Sequence, residues 1–395
     1  MSLLSHFCRR IRLTGPISVG ELMQDVIMDP KHGYYPQAAR IGHKGDFITA
    51  PELTPVFGEI IGAWSLLYWQ QAQLPINVHF TELGPGRGTL MRDIIDTVGI
   101  IGPAFFGKAP KLSASLIEIS EQFIAEQEKL LCGNVRNPIT PQQIFDNPNY
   151  LTRTGLHKAR FKWYSMLDHL PDDRPTLYVM NEFLDALPVN QFQKTEEKGW
   201  VEIMVDVEKD ENKLFYTTYK TGRSIKVDQD KDYAKLPVGT QIEHSPMSGK
   251  VVTALSERIA KSGGAALIID YGEDQMSTEL TFRAFKNHQQ VNPLEDLGLC
   301  DLTADVNFRD LKKSIAEVDG VKAHGPITQS SFLTLMGIGE RFRQLYSRVP
   351  EEKQDSIIHA HNFLCSPEEM GDRFKVLCVT RESDPVPFCF EGASS

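Results

Sequence analysis

Short apolar runs alternate with segments of helical period through the middle of this chain of 395 residues. Five of the runs have the length and composition of strands: residues 78–82, 113–119, 161–165, 176–181 and 265–271. Because helical segments separate them, the pattern predicts a parallel sheet covered by helices on both faces. The predicted fold class is therefore α/β, with a doubly wound sheet.

Two parts of the chain depart from this alternation. Charged turns separate four more strand-like runs, which predict an antiparallel β insertion: residues 191–194, 200–207, 213–219 and 240–243. Near the start, Ser18 and Glu21 have the spacing of a capping box and predict an N-terminal helix over residues 18–28. After the insertion we expect a helix over residues 248–261 and a final strand over residues 374–380.

These elements divide the chain into five predicted parts. The first is an N-terminal helix and lid segment, residues 1–59. The ligand-binding core follows in two parts, residues 60–190 and 248–285, with the β-rich insertion, residues 191–247, between them. The last is a C-terminal part, residues 286–395, with substrate-side helices and the final strand. The lid prediction rests on the polar loop at residues 45–52 and on Phe57-Gly58-Glu59, since Gly/Pro-punctuated loops often fold over ligand pockets.

The most informative stretch is the glycine loop Glu82-Leu83-Gly84-Pro85-Gly86-Arg87-Gly88, which lies between a strand-like run and a helical pattern. Such glycines let the backbone approach a ligand, and the helix N-terminus offers free N–H groups. A dinucleotide loop needs a third glycine where this chain has Thr89. The loop instead resembles that of S-adenosylmethionine (SAM) methyltransferases. It predicts five SAM contacts: Glu82, Gly84, Pro85, Gly86 and Gly88.

Glu118 ends the next strand-like run, 30 residues after Gly88. The usual interval from a glycine loop to a ribose-binding acid is about 20 residues. We attribute the excess to the Gly- and Pro-rich residues 99–111, which predict a loop. A carboxylate at this strand end can accept both ribose hydroxyls, so we expect Glu118 to bind the ribose. Asp46 and Thr49, in the upstream loop, are predicted as further cofactor contacts.

Composition excludes several classes of function. The net charge is -10 and the pI is about 5.6, which argues against a broad nucleic-acid-binding surface. The six cysteines include no C-x-x-C pair, so we expect no metal site and a reducing compartment. No apolar run approaches the roughly 20 residues that a membrane-spanning helix needs, and we predict no membrane insertion.

Longer motifs connect the chain to a known family. They are Gly33-Tyr34-Tyr35, Gly45-Asp46-Phe47-Ile48-Thr49-Ala50-Pro51-Glu52, Phe57-Gly58-Glu59, the glycine loop, Asn181-Glu182-Phe183-Leu184-Asp185-Ala186-Leu187-Pro188, Asp270-Tyr271-Gly272, Arg283 with His288, Asp301-Leu302-Thr303, Thr328-Gln329 and Phe374-Lys375-Val376-Leu377. With these motifs nearly the whole chain resembles the MidA-like SAM-dependent methyltransferases, a bacterial and mitochondrial family whose mitochondrial member helps to assemble respiratory complex I.

The resemblance implies a seven-stranded class I methyltransferase core, SAM as cofactor and a protein substrate. The mitochondrial member is associated with symmetric dimethylation of an arginine in a complex I core subunit. The implied function is that of a protein arginine N-methyltransferase in the bacterial cytoplasm, with the mitochondrial matrix as the alternative location. A homodimer is compatible with this interpretation, and nucleic acid is not an expected partner.

An arginine acceptor is a planar cation, which carboxylates can grip through paired hydrogen bonds. In a doubly wound sheet, residues that follow a strand lie at its C-terminal edge, beside the ligand. Asn181, Glu182 and Asp185 follow one predicted strand, and Tyr271 ends the next. We therefore predict these four as the catalytic residues. His288 is a secondary candidate for a base, and Arg283 for the partner of an acid in the site.

One departure from the family pattern leaves an alternative open. The family usually reads Asp-Leu-Thr-Ala-His-Val-Asp-Phe, whereas this chain has Asp305 in place of the His and Asn307 in place of the second Asp. If that His carries a proton or orients the substrate, the protein could instead be a SAM-binding assembly factor or scaffold without turnover. A third interpretation, an NAD-dependent oxidoreductase, is disfavoured by Thr89.

Overall fold

The computed structural model describes residues 2–29, 32–33, 49–133 and 152–392. Its strands are β1 (Ile17–Ser18), β2 (Asn77–Leu83), β3 (Lys111–Ile117), β4 (Arg153–Thr154), β5 (Arg160–Tyr164), β6 (Thr176–Asn181), β7 (Asn190–Thr195), β8 (Gly199–Val207), β9 (Leu214–Tyr219), β10 (Gln241–His244), β11 (Gly264–Glu273), β12 (Arg283–Lys286), β13 (Gln289–Val291), β14 (Asp301–Thr303), β15 (Val306–Asn307), β16 (Val321–Thr328) and β17 (Phe374–Arg381).

The α-helices of the described residues lie between and after these strands. They are α1 (Leu3–Thr14), α2 (Val19–Met28), α3 (Ala50–Leu53), α4 (Pro55–Gln71), α5 (Thr89–Phe106), α6 (Glu121–Cys132), α7 (Gly222–Gln229), α8 (Pro246–Ser262), α9 (Phe308–Ala316), α10 (Gln329–Leu335), α11 (Ile338–Tyr346), α12 (Glu351–Cys365) and α13 (Met370–Arg373). The predicted capping box is confirmed, because Ser18 and Glu21 bond each other's backbone N–H groups at the start of α2.

A large mixed sheet forms the centre of the protein, with strand order β16-β17-β11-β6-β2-β3-β5-β4 and β15 beside β11. The five strands predicted from the apolar runs are all present and pair in parallel: β2, β3, β5, β6 and β11. Their side chains are apolar on both faces because helices cover both. The helices α4 and α5 pack on one face, and α8 and α9 on the other. The α/β prediction is confirmed.

β16 is a strand that the sequence pattern did not predict. It pairs antiparallel with β17, and its register shifts between His324 and Ile327. Apolar and polar residues alternate only over the four residues from Val321 to His324, and Gly325-Pro326 then interrupts the pattern, so the local signal for a strand is weak. Pairing with β17, itself antiparallel to β11, makes it a strand.

The predicted loop at residues 99–111 is wrong, because α5 continues through most of it, to Phe106. Gly99 and Gly102 lie inside the helix, where they allow close approach of neighbouring side chains. A Cβ on Gly99 would lie 2.3 Å from His157 Cγ, and one on Gly102 would lie 3.0 Å from Pro110 Cγ. These glycines serve helix packing, which no local pattern reveals.

The N-terminal helices pack away from the large sheet. A second hydrophobic core joins α1 and α2 to a five-stranded antiparallel sheet, ordered β1-β8-β7-β10 with β9 beside β8, and to the three-stranded sheet β13-β12-β14. The strands of the predicted insertion are thus present and antiparallel. Three predicted domain boundaries, 59/60, 247/248 and 285/286, fall inside α4, α8 and β12, so the parts are more interwoven than the sequence suggested.

Candidate active site

A cavity of about 810 Å³ opens at the carboxyl ends of the parallel strands. Ligands of doubly wound proteins bind at this edge, where the strand order reverses. Here β2 lies between β3 and β6, so the chain runs outward in both directions from the end of β2. The residues that line this central cavity include the whole glycine loop except Gly88, and also Glu118, Asn181, Glu182, Asp185 and Tyr271. Residues that were predicted separately as the glycine loop, the ribose-binding acid and the catalytic group therefore line one cavity.

The glycine loop has the backbone conformation of a ligand cradle. Gly84, Gly86 and Gly88 have φ values of 66°, 51° and 83°, in the left-handed region that favours glycine. A Cβ on Gly86 would meet no protein atom within 4 Å, although Gly86 lines the cavity. The space above Gly86 is thus open to a ligand. Gly88 is the N-cap residue of α5 and provides no side-chain cap, so the N-terminus of the helix faces the cradle without one.

Glu118 is held at the edge of this cradle by backbone and side-chain donors. Its Oε1 accepts hydrogen bonds from the N–H groups of Ile119 and Ser120, both at 2.8 Å. Its Oε2 accepts one from Gln127 Nε2 at 3.2 Å, and the same amide donates to Gly86 O at 2.6 Å. Gln127 therefore ties the predicted ribose acid to the glycine loop, a role that nothing in its helical surroundings indicated.

Burial dominates the electrostatics of the two cradle acids. It raises the pKa of Glu118 to about 7, against the hydrogen bonds that favour the carboxylate. Burial, with the charge of Glu118 as a smaller cause, raises the pKa of Glu82 to about 8. Glu82 Oε2 is buried without a hydrogen-bond partner among the described residues. An oxygen in this state requires a donor, and the amino and hydroxyl groups of SAM are donors.

The segment after β6 carries the predicted acceptor residues in a strained conformation. Glu182 has φ of 51°, which is uncommon for a residue with a Cβ. Its Oε1 accepts from Asn181 Nδ2 at 2.9 Å and from Ala50 N at 3.2 Å. Burial and the nearby Asp185 raise the pKa of Glu182 to about 8. The second oxygen of Glu182 remains available on the wall of the cavity.

Asp270 fixes this segment from the neighbouring strand. Its Oδ2 accepts the backbone N–H groups of Phe183, Leu184 and Asp185 at 3.2, 3.0 and 3.3 Å. The side chain is 1% exposed, so the three bonds form out of contact with water. Asp270 belongs to a family motif but was not predicted as a site residue, because its contacts lie more than 80 residues away.

Asp185 and Tyr271 are in direct contact, together with Thr303 of β14. Tyr271 Oη and Thr303 Oγ1 donate to Asp185 Oδ2 at 2.8 and 2.9 Å, and the two hydroxyls also contact each other. Asp185 Oδ1 and Asn181 Oδ1 are buried and have no hydrogen-bond partner among the described residues. The structure brings all four predicted catalytic residues together and adds Thr303.

The predicted lid residues have divergent positions. Asp46 lies outside the described residues, as do all residues of the loop before Thr49. Thr49, Pro51 and Glu52 line the cavity, and Glu52 Oε1 accepts a hydrogen bond from Thr89 Oγ1 at the start of α5. Segment 49–53 thus contacts both the cradle and, through Ala50, the acceptor residue Glu182.

Phe57-Gly58-Glu59 does not belong to a lid, which corrects that part of the prediction. Phe57 is a fully buried residue of α4, and a Cβ on Gly58 would lie 2.5 Å from Asp93 Cβ of α5. Glu59 forms a two-pronged ion pair with Arg341, at 2.6 and 2.8 Å. These residues pack α4 against its neighbours and do not line the cavity. His288 and Arg283 do line it, at the end near Tyr271.

Among the described residues, no cluster of His, Cys, Asp or Glu has the arrangement of a metal site. None of the described helices is long and apolar enough to cross a membrane. None of the six cysteines, all of which lie in the described residues, forms a disulfide bond.

Comparisons with known proteins agree with this geometry. Residues 60–327 match the model of a family described as "Putative S-adenosyl-L-methionine-dependent methyltransferase". The protein arginine methyltransferase NDUFAF7, mitochondrial, of Danio rerio is 37% identical, with 96% of this chain and 86% of that protein covered. The Homo sapiens protein of the same name is 34% identical, with 95% and 83% covered.

A solved structure shares the fold. The crystal structure of a Burkholderia thailandensis protein bound to S-adenosyl-homocysteine has a TM-score of 0.79 and 23% identity, and covers 100% of this chain and 95% of its own. With its glycine cradle, its family-model match and its relatives of similar length, the chain belongs to the family of SAM-dependent methyltransferases that includes the NDUFAF7 proteins.

Proposed function

We propose that the protein is a SAM-dependent protein arginine N-methyltransferase. SAM would lie across Gly84–Gly88 with its ribose at Glu118, and it supplies a reactive methyl group when bound. The observation that supports an arginine acceptor is the wall beside the cradle, where two buried acceptor oxygens, Asn181 Oδ1 and Asp185 Oδ1, have no hydrogen-bond partner among the described residues. A guanidinium carries five N–H donors and no acceptor, so it is the side chain that complements such a wall.

The acceptor residues would act mainly by orientation. Glu182 and Asp185 would hold the guanidinium through charge-assisted hydrogen bonds and fix which nitrogen faces the cradle. Asn181 Oδ1 offers a further acceptor. Both acids have raised pKa values in the ligand-free site because of burial, so each can also take up the proton that the guanidinium loses. Phe183 would exclude water, since its ring packs against the loop, 2.7 Å from where a Cβ of Gly84 would lie.

The two departures from the family pattern are compatible with turnover. Asn307 caps α9, because its Oδ1 accepts from the N–H of Asp310 at 3.1 Å, and an aspartate would do the same. Asp305 lies beside a second cavity and does not line the central one. Asp305 would therefore not touch a bound acceptor directly, and the assay for methyl transfer decides between turnover and a scaffold.

The finer expectations belong to the same proposal. We propose that β5, β3, β2, β6, β11, β17 and β16 form the seven-stranded class I core, since this order runs outward from β2 with one antiparallel strand. The curated relatives are named mitochondrial, which supports the matrix as a location beside the bacterial cytoplasm. An arginine of a complex I subunit is the proposed substrate, as the family resemblance implies.

Two measurements test the proposal. Calorimetry should detect SAM binding to the full chain. Mass spectrometry of complex I subunits, from cells with and without the protein, should find methyl groups on an arginine only when the protein is present. Binding without any methylated arginine would support the scaffold instead, and methylation of another residue type would overturn the acceptor assignment.

A further inference from the structure

Arg283 begins β12 at the acceptor end of the central cavity, and three groups hold its side chain. Its guanidinium carbon lies 5.2 Å from the ring centre of Tyr271 and 5.9 Å from that of Phe285. Nη2 is 2.7 Å from Asp305 Oδ1, and Nη1 donates to Thr281 O at 3.2 Å. A cation placed against two rings and a carboxylate has little freedom to reorient.

Asp305 is itself anchored outside the central cavity. Its backbone N–H donates to Thr281 Oγ1 at 2.8 Å. Thr281 donates in turn to Glu243 Oε2 of β10, from its N–H at 2.8 Å and from its hydroxyl at 2.5 Å. The β insertion thus reaches the acceptor site through a continuous set of polar contacts, of which Arg283 is the last member before Tyr271.

The position of Arg283 matters for Asp185, which lies among other charged groups. The titratable groups that surround it come from four elements: Glu182 after β6, Asp270 and Tyr271 of β11, Arg283 of β12 with His288 in the following turn, and Asp301 of β14. Burial raises the pKa of Asp185, whereas the hydroxyls of Tyr271 and Thr303 and the charge of Arg283 lower it. Arg283 is the arginine of this group, and its charge offsets part of the negative charge of Asp185.

We propose that Arg283, held by Asp305, is a positioning residue that orients Tyr271 toward Asp185 and places a positive charge beside the Asp185 carboxyl group. The inference rests on the proposed function, because it assigns Asp185 to the acceptor. It gives Asp305 a role in place of the family histidine: it supplies the anion that fixes Arg283 over the Tyr271 ring.

Asp305→Asn is the decisive variant, because it removes the anion and leaves the charge of Arg283 in the protein. Asp305→Glu should rescue it, since the carboxylate is kept. Asp274→Asn is a matched control: its 2.8 Å ion pair with Lys312 is equally accessible, with the aspartate side chain 34% exposed in both pairs, but neither partner lines a cavity. Arg283→Gln and Arg283→Lys test the cation itself.

The measurement is calorimetric titration of Nα-acetyl-L-argininamide into the full chain saturated with S-adenosyl-homocysteine, at several pH values. We expect the wild type and Asp274→Asn to share one pH midpoint of binding. Asp305→Asn should move that midpoint upward by about half to one pH unit and weaken binding several-fold at neutral pH, because a less well-placed cation lowers the pKa of Asp185 less. Asp305→Glu and Arg283→Lys should have pH midpoints close to that of the wild type. Arg283→Gln should have a midpoint shifted upward by more than that of Asp305→Asn.

Other outcomes separate the two proposals. An unchanged midpoint in Asp305→Asn, together with wild-type probe binding, overturns the role of Arg283 and leaves the proposed function intact. A wild type that binds S-adenosyl-homocysteine but no guanidinium probe overturns the acceptor assignment, and the role of Arg283 fails with it. A thermal melt of each variant removes the ambiguity of misfolding, since a purely structural role would lower the melting temperature without moving the midpoint.

Discussion

The proposed cofactor cradle and the proposed acceptor site are neighbours in space but are built in different ways. The cradle comes from one stretch of seven residues, 82–88, and is shaped by backbone at positive φ. The acceptor site joins residues of the β6 loop, β11, β12 and β14, and uses buried charged side chains. A backbone site is sensitive to shape, whereas a side-chain site is sensitive to charge and proton concentration. Variants should therefore separate SAM binding from methyl transfer.

The largest effect should come from Gly86→Val. Valine at this position would have to adopt the φ of 51° that Gly86 has, and its branched side chain would fill the space of the proposed ligand. We therefore expect SAM affinity to fall on the order of a hundredfold or more. Calorimetry measures the loss. Gly107→Val is the matched control, because Gly107 also has positive φ and open surroundings but ends α5 away from the cavity. Equal SAM affinity in both variants would contradict the cradle assignment.

Glu182→Gln should leave SAM binding nearly unchanged and slow methyl transfer. The amide keeps the shape and the acceptor oxygen but loses the charge, so SAM affinity should change little. The loss of one charge-assisted contact of about 2–3 kcal/mol should slow transfer about a hundredfold if the contact is fully made in the transition state. Transfer at saturating SAM is the measurement. Glu369→Gln, an exposed acid on the same cavity, is the control. Unchanged transfer in Glu182→Gln would place the acceptor elsewhere.

The pH dependence should differ between the two regions. Each acid acts as a carboxylate, so each function should be lost as pH falls through the raised pKa of its group. We expect SAM affinity to decline between about pH 8 and pH 7, where Glu82 and then Glu118 take up protons, and kcat/KM for the acceptor to decline below about pH 8, where Glu182 does. Binding and kinetic profiles over this range measure the two midpoints. A single shared midpoint would mean that one group controls both steps.

The smallest effect should come from the contact that joins the regions. Thr89→Val removes the hydroxyl that donates to Glu52 and so loosens the segment that also contacts Glu182 through Ala50. Loss of a hydrogen bond of about 1 kcal/mol should weaken SAM binding about fivefold. Thr97→Val, on the face of α5 that packs against Gly62 of α4, is the control. If the two valine variants bind SAM equally well, residues 49–53 do not act as a lid.

The contrast also explains which parts of the site could be predicted. A strand of clear apolar pattern precedes each of three predicted parts: the glycine loop, Glu118 and the β6 loop. The carboxyl ends of parallel strands lie at the same edge of the sheet, so these parts could be predicted to lie close together. Thr303, Gln127 and Asp270 were not predicted as site residues, because the partners that give them their roles are distant in sequence. Phe57-Gly58-Glu59 was assigned to the lid because it directly follows the polar loop at residues 45–52, whereas Gly58 allows α4 to approach α5.

The sequence by itself determined the order of the core elements, the capping of α2 and the glycine loop, because these depend on residue type and on spacing over a few positions. Tertiary structure alone decided that residues 99–106 are helical, that β16 is a strand, and that Asp305 reaches Arg283 rather than the central cavity. In each of these cases the free energy comes from contacts between segments far apart in the chain. Local patterns carry no record of such contacts, so only the folded protein shows which side chains they bring together.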